Sequence, residues 1–90
     1  MNTLKSPLPI VIPKILIVED EALVSDDLAM RLNRLGYAVC GQADSFESAV
    51  ADSDRLHPDL ILMDIHLIGP QDGIETAIEI RRRSGTPVIS

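Results

Sequence analysis

Two stretches of unbroken aliphatic side chains, I-L-I-V at 15–18 and L-I-L-M at 60–63, constrain the fold more than any other feature. Neither alternates with polar residues, so neither suits a sheet with one face in water. Runs of this kind suit parallel strands covered on both faces. Both runs stop at carboxylates: Glu19-Asp20 follow the first and Asp64 follows the second.

The segments between them carry helical spacing. After K-I-L-I-V (14–18), Val24, Leu28, Leu32 and Leu35 fall on one stripe of a predicted helix. Acids stand in its first turn, arginines in its last, and Gly36 is its stop signal. Residues 37–43, Y-A-V-C-G-Q-A, read as a second strand. Asp44 with Glu47 resembles a capping box. It opens a second helix with an apolar face of Phe46, Ala49, Val50 and Leu56, ending near His57-Pro58. The third strand is D-L-I-L-M-D (59–64). A third helix starts at Ile74, Ala77 and Ile78 and finishes in Arg81, Arg82 and Arg83, where cations oppose the helix dipole and Glu79 pairs with Arg83. T-P-V-I-S begins a fourth strand. Alternating strands and helices predict an α/β fold, with parallel strands joined by right-handed crossovers and helices on both sheet faces.

Composition narrows the function. Net charge is −6 over 90 residues, which argues against a nucleic-acid surface here and suits cations or basic partners. The single cysteine, Cys40, has no partner for a disulfide or a thiolate zinc site, and reads as a buried inert thiol in a reducing cytoplasm. Residues 1–13 read as a flexible arm, interrupted by Pro7, Pro9 and Pro13, with no signal-peptide pattern. No stretch approaches the ~18 apolar residues of a membrane helix.

In parallel sheets, functional groups gather beyond the carboxyl ends of the strands. If strands one and three are neighbours, roughly 4.8 Å apart, Glu19, Asp20 and Asp64 share one pocket. Each close pair would repel by about 4 kcal/mol at an effective dielectric near 20. No basic residue closely follows either strand end, so a divalent cation is the favoured counter-charge. Oxygen ligands favour Mg²⁺ or Mn²⁺, while His66 nearby keeps zinc open on a single imidazole. The plain alternative is that these acids are simply solvated. The first turn, V-E-D-E-A, lacks both G-x-G-x-x-G and G-K-[ST], and no serine nucleophile elbow appears.

Four segments together, I-L-I-V-E-D-E (15–21), P-D-L-I-L-M-D-I (58–65), D-G-I-E (72–75) and P-V-I (87–89), resemble the receiver domain of two-component response regulators. The resemblance spans residues 14–90 and implies a flavodoxin-like, doubly wound sheet of order 2-1-3-4-5, of which about four strands and three helices lie here. It implies that Asp64 accepts a phosphoryl group from a histidine kinase or phosphotransfer protein. It further implies that Asp20 binds Mg²⁺ directly, that Glu19 reaches the metal through water, and that the backbone carbonyl of His66 is the third protein ligand. The loop H-L-I-G-P-Q-D-G is one residue longer than the usual pattern, with Pro70 displaced.

By the same register, the switch hydroxyl lies two residues beyond Ser90, which reads as an ordinary strand residue. The lysine ending strand five, strand five itself and helices four and five also lie beyond these residues. The expectation is therefore an incomplete domain with an exposed fourth strand, poorly stable alone, aggregating, dimerising or exchanging elements with another chain. Two rival functions stand beside this one: a receiver-like binding module that is not phosphorylated, and a Mg²⁺-dependent aspartyl phosphatase. The second needs D-x-D-G-T at the first strand, where this chain has E-D-E.

Overall fold

The computed structural model describes residues 11–64 and 73–90. Among them the elements run β1 (Lys14–Val18), α1 (Ala22–Arg34), β2 (Ala38–Ala43), α2 (Phe46–Leu56), β3 (Leu60–Met63), α3 (Gly73–Ser84) and β4 (Val88–Ile89). All pairings are parallel, in the order β2-β1-β3-β4. This is the expected doubly wound arrangement, with strands one and three side by side.

The aliphatic runs explain the layering. Leu16, Ile17 and Val18 are fully covered, and alternate side chains serve opposite faces. Leu16 and Val18 join Ala43, Ala49, Val50, Ile61, Met63 and Ile80 in one core beneath α2 and α3. Ile15 and Ile17 are buried outside that cluster, and α1 contacts β1 and β2 but neither α2 nor α3 to a comparable degree. Burying such large side chains contributes about 1.5–3 kcal/mol each before the cost of ordering the chain.

β2 meets β1 with a register shift: Ile15 pairs with Val39, but Leu16 pairs with Gly41, so Cys40 is skipped. Gly41 sits in a tight space: a Cβ there would stand 2.9 Å from Leu56 Cδ1 and 3.1 Å from Leu16 Cδ1, so those side chains would have to move aside. Cys40 is half-buried rather than buried; its thiol donates to the Ile15 carbonyl at 3.5 Å, and burial pushes its pKa up.

Several local expectations shift. α1 begins at Ala22 with no acid in its first turn, because Glu19, Asp20 and the extended N-cap Glu21 stay on the loop. On its stripe, Leu28 and Leu32 are half-buried while Val24 and Leu35 are exposed, and Ser25 is the buried residue of the helix. The stop is as expected, with Gly36 at φ +96°. The second helix is capped one residue later than expected. The Ser45 hydroxyl accepts from the Ser48 N–H at 3.1 Å, and the Ser48 hydroxyl accepts from the Ser45 N–H at 3.0 Å. Serine serves both halves of this box because its short hydroxyl oxygen can accept a nearby backbone N–H. His57 closes α2 at φ 50°, a left-handed cap.

In α3 the inward face is Gly73, Thr76 and Ile80, whereas Ile74 and Ile78 are 57% and 63% exposed. Arg83 pairs with Asp54 of α2 at 2.7 Å, an ion pair between the two helices. The expected Glu79–Arg83 pair is present at 2.8 Å, joined by Arg82 at 2.7 Å. Thr86 precedes β4 and is held by the Ser84 hydroxyl at 2.8 Å. Among the described residues β4 pairs only with β3, and Ile89 is exposed.

Candidate metal centre

The parallel register of β1 and β3 builds the site. Val18 pairs with Met63, so the next residues, Glu19 and Asp64, leave the sheet together. Backbone bonds extend the ladder one step past both strands: the Asp64 N–H donates to the Val18 carbonyl and the Glu19 N–H to the Ala43 carbonyl, each at 2.9 Å. Asp20 follows on the short loop into α1. One carboxylate oxygen from each of Glu19, Asp20 and Asp64 lies within 4.8 Å of the others. The three acids therefore converge as the sequence suggested, at the C-terminal rim of the sheet. His66 lies outside the described residues.

The electrostatics match this crowding. Burial raises the Glu19 pKa, and the charges of Asp64 and Asp20 raise it further, while the Glu21 N–H, bonded to Glu19 Oε2 at 3.1 Å, works the other way. The ion pairs of Arg31, Arg55, Arg82 and Arg83 run to Asp27, Asp52, Glu79 and Asp54, and none of them involves this trio. A set of hard oxygen donors at this spacing suits Mg²⁺ or Mn²⁺ better than zinc.

Two recesses flank the acids. An open cleft of about 540 Å³ is lined by Val18, Glu19, Leu28, Leu62, Met63, Asp64 and Ser90, giving Asp64 an approach from solvent. Ser90, expected as an ordinary strand residue, follows β4 and lines this cleft. A smaller polar recess lies on the β2 side, lined by Glu19, Asp20, Ala22, Ser25, Asp26, Gln42 and Asp44. Sequence reasoning did not single out Ser25, Asp26 or Gln42. The only signal was a polar Gln42 near the end of an otherwise apolar strand.

The family model of the response regulator receiver domain matches residues 15–90. This chain belongs to the response regulator receiver family. Among curated relatives, the transcriptional regulatory protein PdtaR of Mycobacterium tuberculosis is 38% identical over 76 residues, covering 84% of this chain and 37% of PdtaR. The chain thus spans about a third of the length of that relative. A solved receiver domain of a modulated diguanylate cyclase from Desulfovibrio desulfuricans superimposes with TM-score 0.82 at 42% identity, covering 87% of this chain and 62% of that one. The anti-anti-sigma factor PhyR of Bartonella quintana, solved in complex with the anti-sigma factor NepR, gives TM-score 0.80 at 33% identity, covering 88% of this chain and 33% of that one. Receiver domains generally bind Mg²⁺ through an acidic cluster, and this chain brings Glu19, Asp20 and Asp64 together. No described helix is long and apolar enough to cross a membrane.

Proposed function

We propose that this chain is a phosphorylatable switch in the cytoplasm, in which Asp64 takes a phosphoryl group from the phosphohistidine of a sensor histidine kinase or phosphotransfer protein. The observation that carries this reading is the meeting of three carboxylates within 4.8 Å at the sheet rim, in a chain of the receiver family. Glu19, Asp20 and Asp64 would hold Mg²⁺ or Mn²⁺, with the His66 backbone carbonyl completing the set. The chemistry supplied by such a bound ion is charge neutralisation, of both the acids and the incoming phosphoryl oxygens.

The residues of the chain do the rest. Asp64 is held by its N–H bond to Val18, so its carboxylate meets the donor from a rigid strand end while the adjoining cleft admits it. One Asp64 oxygen forms a bond to phosphorus as the bond from phosphorus to the imidazole nitrogen breaks, and the released imidazole takes up a proton. The product adds up to about two negative charges and several acceptor oxygens beside Glu19 and Asp20, enough to bias a two-state element. The chain acts as the acceptor and takes part in its own dephosphorylation, rather than turning over a separate substrate. Signalling by partner contact is supported by the structural likeness to PhyR.

The test is incubation with acetyl phosphate and Mg²⁺, read by intact mass. One phosphoryl group is expected on the wild type and none on Asp64→Asn. Absence of the adduct from the folded wild type, with partner binding retained in Asp64→Asn, would establish a binding module that is not phosphorylated.

A further inference from the structure

The loop that presents Glu19 and Asp20 spans only residues 19–21, between the end of β1 and the start of α1. Its helical end is weakly anchored by local means. The N-cap Glu21 makes no side-chain capping bond, and Ala22, Leu23 and Val24 are exposed. What grips this end instead is β2. The Gln42 side-chain amide donates to Ser25 Oγ at 2.8 Å and to Asp26 Oδ1 at 2.9 Å, from 17 and 16 residues away. The next residue, Ala43, accepts the Glu19 N–H at 2.9 Å. Two consecutive residues of one strand therefore hold the acidic loop on both sides, Ala43 before it and Gln42 after it.

We infer that Gln42 is a positioning residue for the metal centre, setting the placement of Asp20 and Glu19 relative to Asp64 through its two bonds to α1. The inference rests on the functional reading above, since it concerns how well those acids fit a small cation. Mg²⁺ demands near-octahedral oxygen geometry at short distance, whereas Ca²⁺ accepts looser and more variable coordination. A loop released from Gln42 keeps its charges but loses its placement. The consequence is selective: Mg²⁺ binding weakens while Ca²⁺ binding changes little.

Gln42→Met tests this, because it keeps length and volume, removes both donors and changes no charge. Calorimetric titrations of Mg²⁺ and Ca²⁺ into the wild type and the variant supply the readout, with metal-free thermal unfolding measured alongside. The expected result is about a three- to tenfold rise in the Mg²⁺ Kd, below the 10–100-fold cost of losing a partner bonded directly to a ligand, with the Ca²⁺ Kd within about twofold. Ser25→Ala/Asp26→Ala, which removes the acceptors instead, is expected to lower the Mg²⁺ to Ca²⁺ preference in the same direction. An unchanged preference in both variants, or equal losses for the two ions, overturns the inference while leaving the functional reading intact. If the wild type binds neither ion in a manner sensitive to Asp64→Asn, the functional reading fails first and takes the positioning role with it.

Discussion

Asp64 and Val18 are joined across two parallel strands by a 2.9 Å bond from the Asp64 N–H to the Val18 carbonyl. That bond sets an aspartate level with the residue that follows Val18, which is Glu19. The register keeps the Glu19 and Asp64 backbones side by side, so the carboxylates stay in one neighbourhood and their mutual repulsion favours a bound cation.

Relief of that repulsion separates two effects of one substitution. Asp20→Asn is expected to raise the stability of the metal-free chain by up to about 1 kcal/mol, the scale of a partly exposed charge interaction. It is also expected to abolish the rise in Tm that Mg²⁺ gives the wild type, since a ligand stabilises only the fold that binds it. Thermal unfolding with and without Mg²⁺ checks both; a destabilised metal-free variant would contradict the repulsion.

Glu79 supplies a pH signature. Hydrogen bonds from Arg82 and then Arg83 hold its pKa down at about 2, from an ordinary 4.5. Because the folded value is depressed, the stability this cluster contributes is present above about pH 4.5 and is lost as pH falls toward about 2. Urea midpoints of the wild type and Glu79→Gln are expected to differ at pH 6 and to converge only as pH falls to about 2 and below, with the difference smaller at high salt. A constant difference across that range would refute the assignment.

Ser53 is expected to be a site where a smaller, apolar residue improves the fold. Its hydroxyl is buried on α2 and has no hydrogen-bond partner among the described residues. Ser53→Ala removes the desolvation penalty and raises helix propensity, for a gain of about 0.5–1.5 kcal/mol. A lower urea midpoint in the variant would show that the hydroxyl is satisfied in solution.

Exposed aliphatic residues flank β4 on the α3 side. Ile74 and Ile78 share a recess of about 200 Å³ with Met63, Ala77 and Val88. Surface of this kind favours self-association. Ile74→Glu/Ile78→Lys is expected to shift the 90-residue chain toward monomer in analytical ultracentrifugation and to leave Mg²⁺ affinity within about twofold. A cooperative, monomeric melt of the unsubstituted chain above ~50 °C would show that these faces are tolerated.

Much of this was legible in one dimension. The unbroken runs at 15–18 and 60–63 announced strands covered on both sides, and the acids ending them announced the rim where chemistry sits. Glu79–Arg83 and the Gly36 stop were readable because they depend on neighbours three or four residues away. Periodicity located the helices but did not orient them. Ile74, Ala77 and Ile78 marked the start of α3, whereas Gly73, Thr76 and Ile80 are its buried residues. The Ser45–Ser48 cap was missed because Asp44 and Glu47 offered the same pattern one residue earlier.

Local pattern thus determined which segments are strands and helices, and that two strands end in acid, because propensity and periodicity act over a few residues. Only the tertiary structure decided that those two ends are adjacent, that a carboxylate oxygen from each of three acids meets within 4.8 Å, and that Gln42 bonds to the first turn of α1, beside the loop carrying two of them. Strand order and side-chain bonds across 16 or 17 residues depend on how the helices pack over the sheet. That choice is made by the whole core at once and leaves no trace in any single window of the chain.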